Sequence, residues 1–323
     1  MTWKWAPSDD EIQKYRQSWN PLSNGPILST AVDIQPKGQS HVQFYVFGET
    51  GHEQFGNRLT TERTDAPTHL DSVAPTMTFG HGVTDHLEAD VAFSGIYWDA
   101  SRSSHTDGRT TDSALGIGDT ALYLKYRPIV QDPDSWRPSI VIYNQLGLPT
   151  SDWFGTQSVP GGRSPLGKLP STRFGALSLT EGVLFRKNIQ PFRFTGGVYY
   201  SYSVPGSSGG LNTYVGDIVN TRFITEYILN EEHGLGFNLE FVTLHGLPHR
   251  LDGHQVNINP TSFTLFGIEP ALQYKFTSEA LGGALVGAAG VLFTVAGQND
   301  IGAIYPNISL YWYWGKNGKV QMR

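Results

Sequence analysis

The feature that most constrains this chain is a two-residue alternation of apolar and polar side chains that returns in segment after segment. Between residues 87 and 98, Leu87, Ala89, Val91, Phe93, Gly95 and Tyr97 hold the odd positions, while Glu88, Asp90, Ala92 and Ser94 hold the even ones. An extended strand turns successive side chains to opposite faces, so both carboxylates share one face and the apolar set the other; a helix would scatter them. Val42, Phe44 and Val46 alternate in the same way with His41, Gln43 and Tyr45, as do Leu122, Leu124 and Tyr126 with Tyr123, Lys125 and Arg127. The pattern recurs at 139–148, 192–202, 235–241, 266–276 and 304–314, and more weakly at 70–83, 171–186, 211–229 and 280–296. The total is twelve strands. Glu181 falls on the apolar parity of its segment, which predicts a bulge or a place near a membrane interface.

The connectors alternate in length. Short links are expected at 84–86, 129–136, 187–189, 230–232 and 277–279, and longer polar ones at 50–69, 99–114, 150–170, 204–210 and 245–262; 297–302 is a short exception. Short turns at one end and long loops at the other are the arrangement of an outer-membrane barrel, with the short turns periplasmic. Composition agrees. Only 16% of residues are charged and mean hydropathy is -0.28, too few charges for an average soluble domain and too little apolarity for a helical bundle. A closed barrel with one face to lipid and one to a polar lumen accounts for both. The uncharged stretch 280–299 has the length of a spanning helix, but Gly282, Gly283, Gly287, Gly290 and Gly297 disfavour one, so a small-residue strand is expected.

The fold class expected is therefore all-β: a transmembrane antiparallel β-barrel of about 12 strands occupying residues 37–315. Ahead of it, 1–36 forms an N-terminal segment in which Ser8 caps a short helix, Asp9 to Trp19, ended by Asn20-Pro21. Two readings of this segment stay open, a periplasmic one (preferred) and a plug in the lumen. Residues 316–323 form a C-terminal tail. Met1–Pro7 contains no apolar run of a secretory leader, as expected of a mature chain preceded by an initiator Met.

The order of motifs resembles the bacterial outer-membrane family named for the meta-pathway of phenol degradation. The similar elements are Phe79-Gly80-His81-Gly82-Val83-Thr84-Asp85-His86-Leu87-Glu88-Ala89-Asp90-Val91 and Gly116-Ile117-Gly118-Asp119-Thr120-Ala121-Leu122-Tyr123-Leu124-Lys125-Tyr126. Leu146-Gly147-Leu148-Pro149-Thr150 is similar to that family's strand end, with Ser151-Asp152 in place of Gly-Asp. The resemblance spans roughly residues 25–315. It implies a barrel and passage of small, aromatic or hydrophobic molecules, and it carries over no functional residues. Outer-membrane barrels end on an aromatic strand residue, whereas here a tail follows Trp314.

Strand parity sends Glu88, Asp90, Asp119, Lys125, Arg127, Arg193, Arg222, Glu226, Glu240, Glu269 and Lys275 into the lumen, with Asn220, Asn238, Gln273 and Tyr143. Such charges either line a selective conduit or pair off and fill the barrel, since buried charges need partners. His245, His249 and His254 with Asp252 offer ligand chemistry for a metal such as zinc, but their spacing matches no known ligand motif and reads as a solvated loop. Ser104-His105 and the pair His105 and Asp107 lack the context of a barrel phospholipase or protease; no catalytic constellation is evident, and the chain reads as a non-enzyme without a cofactor. The absence of Cys excludes thiolate chemistry, and a net charge of -6 argues against nucleic acid as a partner. Trp98, Trp153, Tyr200, Tyr202, Tyr274, Phe276, Trp312 and Trp314 sit at strand ends, where aromatic girdles meet the headgroups. Pro75 and Pro270 lie inside strands and remove ladder bonds there.

The function expected is passive or facilitated uptake of small solutes through the bacterial outer membrane, with membrane lipid and a small-molecule solute as partners. The alternative is a closed structural barrel that binds a protein partner through its long loops or periplasmic termini.

Overall fold

The computed structural model describes residues 6–29, 31–104, 108–150, 177–208, 211–214, 216–255, 262–276 and 283–315. A helix, α1 (Asp9–Gln17), precedes β1 (Ser40–Phe55), β2 (Arg63–Thr84), β3 (Leu87–Ser104), β4 (Gly108–Ile117), β5 (Thr120–Ile129) and β6 (Ser139–Leu148). There follow β7 (Ser178–Ile189), β8 (Phe192–Ser203), β9 (Gly206–Ser208), β10 (Leu211–Tyr214), β11 (Ile218–Asn230) and β12 (Leu235–Gly246). The chain continues with β13 (Arg250–Leu251), β14 (His254–Gln255), β15 (Phe263–Phe276), β16 (Ala284–Gln298) and β17 (Ile304–Trp314).

Each wall strand pairs antiparallel with its neighbours, and β1 pairs with both β2 and β17, which closes the sheet. β4 and β5 both pair with β3, one along each half of it, so together they form a single stave interrupted at Gly118-Asp119. The closed barrel has 12 staves. β9, β10, β13 and β14 form a separate 4-stranded sheet within the long connectors.

The wall is apolar outside and polar inside. Phe44, Val183, Phe223, Phe241, Leu272 and Ile308 are exposed on the outer face, whereas Arg127, Arg186 and Arg193 are among the largest fully buried side chains. An apolar belt of that extent is not tolerated on a water-soluble surface and is what a bilayer requires. Tyr200 and Tyr202 face outward at the long-loop end; Tyr274, Phe276 and Trp312 do so at the short-turn end. Trp153 lies outside the described residues.

Several local expectations meet the structure in detail. Residues 284–298 are strand, and Gly290 there leaves room for the Glu269 carboxylate, which an added Cβ would approach to 2.4 Å. The β7–β8 turn is Gln190-Pro191, one step beyond the expected 187–189, because β7 keeps pairing through Ile189. Glu181 is exposed and paired in regular register with Asn144 and Tyr200, so it makes no bulge. The β2–β3 register passes from Val73 opposite Tyr97 to Thr76 opposite Ser94, skipping Pro75. The β15–β16 register likewise skips Pro270. In each case the missing proline N–H coincides with a gap in one seam only, since Pro75 still opposes Val46 and Pro270 still opposes Leu239.

α1 begins with a full capping box: Glu11 N–H donates to Ser8 Oγ at 3.3 Å, and Ser8 N–H donates to the Glu11 carboxylate at 3.0 Å. Its last helical residue is Gln17, two short of the expected end. Ile12 and Tyr15, three apart and so on one face, are buried.

Candidate functional site: a charged lumen and the segment that runs through it

Period-two pairing fixes which side chains point inward, and eight of the eleven expected lumen residues are buried outright. Glu88, Glu240 and Glu269 are 0% exposed; Asp119, Lys125, Arg127, Arg193 and Glu226 are also buried. Asp90 and Arg222 are partly buried, as is Lys275, which sits at the short-turn rim with its N–H donating to the His233 carbonyl at 2.7 Å. Asp119 occupies the break between β4 and β5, where Ser94 Oγ donates to its carbonyl at 3.4 Å.

The charges divide into local clusters. Lys125 on β5 places Nζ 2.5 Å from Glu88 and 3.6 Å from Asp90, both on β3. Arg193 on β8 lies 3.6 Å from Glu226 on β11, which also accepts from Gln273 on β15. Glu269 accepts from Asn307 Nδ2 at 2.6 Å. Arg222 donates to Asn220 at 3.2 Å.

The other half of the pairing comes from the N-terminal segment. Nearly every described residue from Asn20 to Pro36 is buried, and polar ones meet inward side chains of the wall. Arg193 donates to Ser23 Oγ at 3.0 Å and to the Pro21 carbonyl. Asn24 N–H donates to Gln273 at 3.1 Å, and Asn238 donates to the Gly25 carbonyl at 2.9 Å. Ile27 N–H donates to Glu240 at 2.5 Å, Arg222 donates to the Leu28 carbonyl, and Gln35 N–H donates to Glu88 at 2.5 Å. Arg186 on β7 pairs with Asp33 and donates to Thr195 at 3.1 Å, while Tyr15 of α1 donates to the other Asp33 oxygen at 3.2 Å. A buried backbone group without a partner is costly, and this segment has no strand ladder of its own. The wall's charges supply what a ladder would.

Outside the lumen, α1 is tied to separate short turns. Lys14 reaches Asp132 at 2.7 Å and Asp134 at 2.8 Å, Arg137 reaches Glu11 at 2.9 Å, and Arg16 reaches Asp85 at 2.6 Å. Trp19 Nε1 donates to Glu231 at 2.7 Å. The helix thus bridges the β2–β3 and β5–β6 turns, and Trp19 just beyond it reaches the β11–β12 turn. Hydrogen bonds from Lys14 Nζ and from the Asp134 N–H hold the Asp132 carboxyl down to about 2.

A cavity of about 330 Å³ remains between the N-terminal segment and the wall of β1, β2, β3, β5, β6 and β17. Its walls mix Tyr45, Tyr123, Tyr143 and Tyr311 with Gln43, Gln145, Thr76 and Thr78, and Glu88, Asp90 and Lys125 face it. Among the described residues, the side chains with metal-ligating spacing are His41, Glu88 and Asp90, with ligand atoms within 4.8 Å of one another. Lys125 already occupies that position with its ammonium. His245 instead pairs with Thr264 at 2.9 Å, and Asp252 accepts from Asn212 N–H at 2.8 Å in the small outer sheet. His105 and Asp107 lie outside the described residues.

Sequence reasoning missed Arg186, Asp33 and Gln35. Arg186 ends a weakly patterned segment, and its inward parity was the one signal for it. Asp33 and Gln35 lie in a stretch with no periodicity to read.

No family model matches the chain, and no curated protein matches it by sequence. The resemblance to the meta-pathway family rests on its motifs. Among solved structures, an outer membrane channel from Pseudomonas putida F1 is similar at 12% identity and a TM-score of 0.66, over 91% of this chain and 100% of that one. The transport unit of the Escherichia coli autotransporter AIDA-I matches at 8% identity and 0.49, over 96% and 99% of the two chains. The Pseudomonas putida toluene transporter TodX matches at 10% and 0.39, over 95% and 94%. The first of these shares the fold of this chain, a closed outer-membrane-type barrel.

Proposed function

We propose that this chain is a bacterial outer-membrane channel for small hydrophobic solutes, held closed by its own residues 20–36, and that it performs no chemistry. The observation that carries the reading is how the lumen is filled. A barrel built only as an anchor can close with side chains from its own staves, as narrow barrels do. This one is filled by a separate segment, fixed through side chains and not through a strand ladder, so it can leave without opening the wall. Four of the lumen charges that parity selects, Glu88, Arg193, Arg222 and Glu240, hold it in place. The apolar belt supports a place in a bilayer, and the short-turn end with α1 is the periplasmic one. The motif resemblance and the similar barrel from Pseudomonas putida F1, itself described as an outer membrane channel, point the same way.

Two measurements test this. Cell fractionation should recover the chain in the outer membrane. Cells producing it should take up a labelled small aromatic such as toluene at least several-fold faster than cells without it. Equal uptake with the barrel correctly inserted favours the alternative, a closed barrel that anchors a protein partner.

A further inference from the structure

The lumen has two unlike sides. The lumen charges described above stand on β3, β5, β7, β8, β11, β12 and β15, with Asp119 between β4 and β5, and none of those residues is on β16, β17, β1 or β2. Inward positions of these last strands hold rings instead: Tyr45 and Phe47 on β1, and Tyr305, Tyr311 and Tyr313 on β17. Val286, Ala288 and Leu292 are buried beside them on β16. The rings form a strip along the barrel. Tyr311 and Tyr313 stack at 5.3 Å with their planes 5° apart. Tyr311 and Tyr45 line the same cavity, Tyr45 lies 6.1 Å from Phe47, and Phe47 stacks on Tyr305 at 5.1 Å. From Tyr313 at the short-turn end to Tyr305 near the long-loop end, the strip runs about the 9–11 residues with which a tilted strand crosses a bilayer. His41 bounds it at one end and Glu49, which accepts from Ser72 Oγ at 3.4 Å, at the other. Glu269 leans towards it from β15, over Gly290 to Asn307.

The N-terminal segment meets the two sides with different chemistry. Its backbone and polar groups bond to the charged side, at Arg193, Arg222, Glu240 and Gln273. To the rings it offers carbon: Leu22 packs on Tyr311 and Tyr313, and Ile27 lies in the cluster against which Tyr45 packs. In the closed barrel, side chains of the segment therefore hold the place of a hydrophobic solute. Once the segment leaves, water can meet the charges, and hydrocarbon laid on them would displace that water and return nothing. The ring side gains from hydrocarbon, and gains more from a flat ring, since aromatic pairs stack offset or meet edge to face. Tyr123, Tyr143 and Tyr199 form a second cluster, around Val32 and Ile34, but on β5 it runs straight into Lys125 and Arg127.

We infer that the strip from Tyr313 to Phe47 and Tyr305 is the path of the solute, that it favours flat aromatic rings over saturated ones of like size, and that Leu22 and Ile27 compete with the solute for it. The inference rests on the channel reading, and it names the face of the lumen and the residues that give such a channel its selectivity.

Initial uptake of labelled toluene and labelled methylcyclohexane tests it, in cells that produce the full-length chain and metabolise neither. Each solute is supplied at limiting concentration, and the rate of cells without the chain is subtracted. The pair is alike in size and apolarity and differs in the ring. Toluene should enter ~10-fold faster, because several ring contacts lie along its way. Phe47→Leu and Tyr45→Leu should each lower the ratio of the two rates ~2–10-fold, the worth of one ring–ring contact, and Tyr45→Phe should keep it. A change in how often the segment leaves moves both solutes together, so the ratio reads the strip alone. Tyr199→Leu, on β8 across the lumen, should leave the ratio as it is, whatever it does to both rates through its bond to Ser29. Heat-modifiable gel mobility establishes folding, and should one Leu variant fail to fold, the other decides. Equal entry of the two solutes, a ratio that both Leu variants leave unchanged, or one that Tyr199→Leu lowers as much would each overturn the path and spare the channel. Entry of neither solute through a correctly inserted barrel would overturn the channel and the path with it.

Discussion

At the scale of single residues, the energetics turn on charges that are buried and matched. Arg186 and Asp33 are both almost fully buried, and they join the wall to the N-terminal segment. Such a pair adds little net stability, because its attraction is spent against desolvation, but removing one member leaves the other buried without its counter-charge, at a cost of ~3–5 kcal/mol. That cost falls on the seating of the segment and not on the strand ladder. Arg186→Met should therefore speed amide exchange of Ile34 and Gln35 by about two to four orders of magnitude, by the conversion of that energy into an opening constant, and leave exchange in β6 and β8 unchanged. Uniform exchange across segment and wall would show that Arg186 stabilises the barrel itself. Parity placed Glu88, Lys125, Arg193, Glu240 and Glu269 inward because each sits in a clearly alternating strand. It could not supply Asp33, since the segment around it has neither a period of two nor one of 3.6, and its conformation is dictated by the lumen into which it fits.

At the scale of elements, α1 is a small helix with an explicit cap and ionic ties. Its capping box was legible, because Ser8 and Glu11 stand at the required spacing ahead of an amphipathic turn. Ser8→Ala should cost ~1 kcal/mol, read as about fivefold faster exchange of the first-turn amides, with strand amides unaffected. The ties to the turns were not legible, since ion pairs between residues 69 to 126 positions apart leave no mark in one sequence. Exposed pairs of this kind are individually weak, so the helix depends on several at once. Their pH dependence has a definite sign. The Asp132 carboxyl is held at about 2, below its ordinary 3.8, by hydrogen bonds from Lys14 and the Asp134 N–H. A depressed acid contributes fully above its ordinary value and loses that contribution as pH falls through the depressed one. Protection factors of the α1 amides, corrected for intrinsic exchange, should hold at pH 5 and fall only between about pH 4 and about pH 2. A loss of protection already complete at pH 5 would contradict the assignment. The strands themselves were readable for a stronger reason. Lipid on one side and water or charge on the other force the alternation, whereas their exact ends depend on pairing partners, as the extra residues of β7 illustrate.

At the scale of the molecule, two surfaces with opposite demands account for the composition. The outer face must satisfy hydrocarbon, so Phe, Leu, Val and Ile are exposed there; the inner face must satisfy a chain segment and a cavity, so it carries arginines, carboxylates and amides. Sequence parity anticipated the closed barrel, its stave number and the polarity of its lumen. For 1–36 it kept two places and preferred the one below the barrel, whereas residues 20–36 meet the inward side chains of the wall, a fit between distant parts of the chain that parity cannot read. The account's central claim is that the barrel is a conduit and that its own N-terminal segment closes it. The most direct measurement is single-channel conductance of the purified protein in planar lipid bilayers, with and without residues 1–36. The account predicts small or rare conductance steps from the full chain and large, stable steps once the segment is removed. Silence from a folded, inserted barrel lacking 1–36 would contradict it.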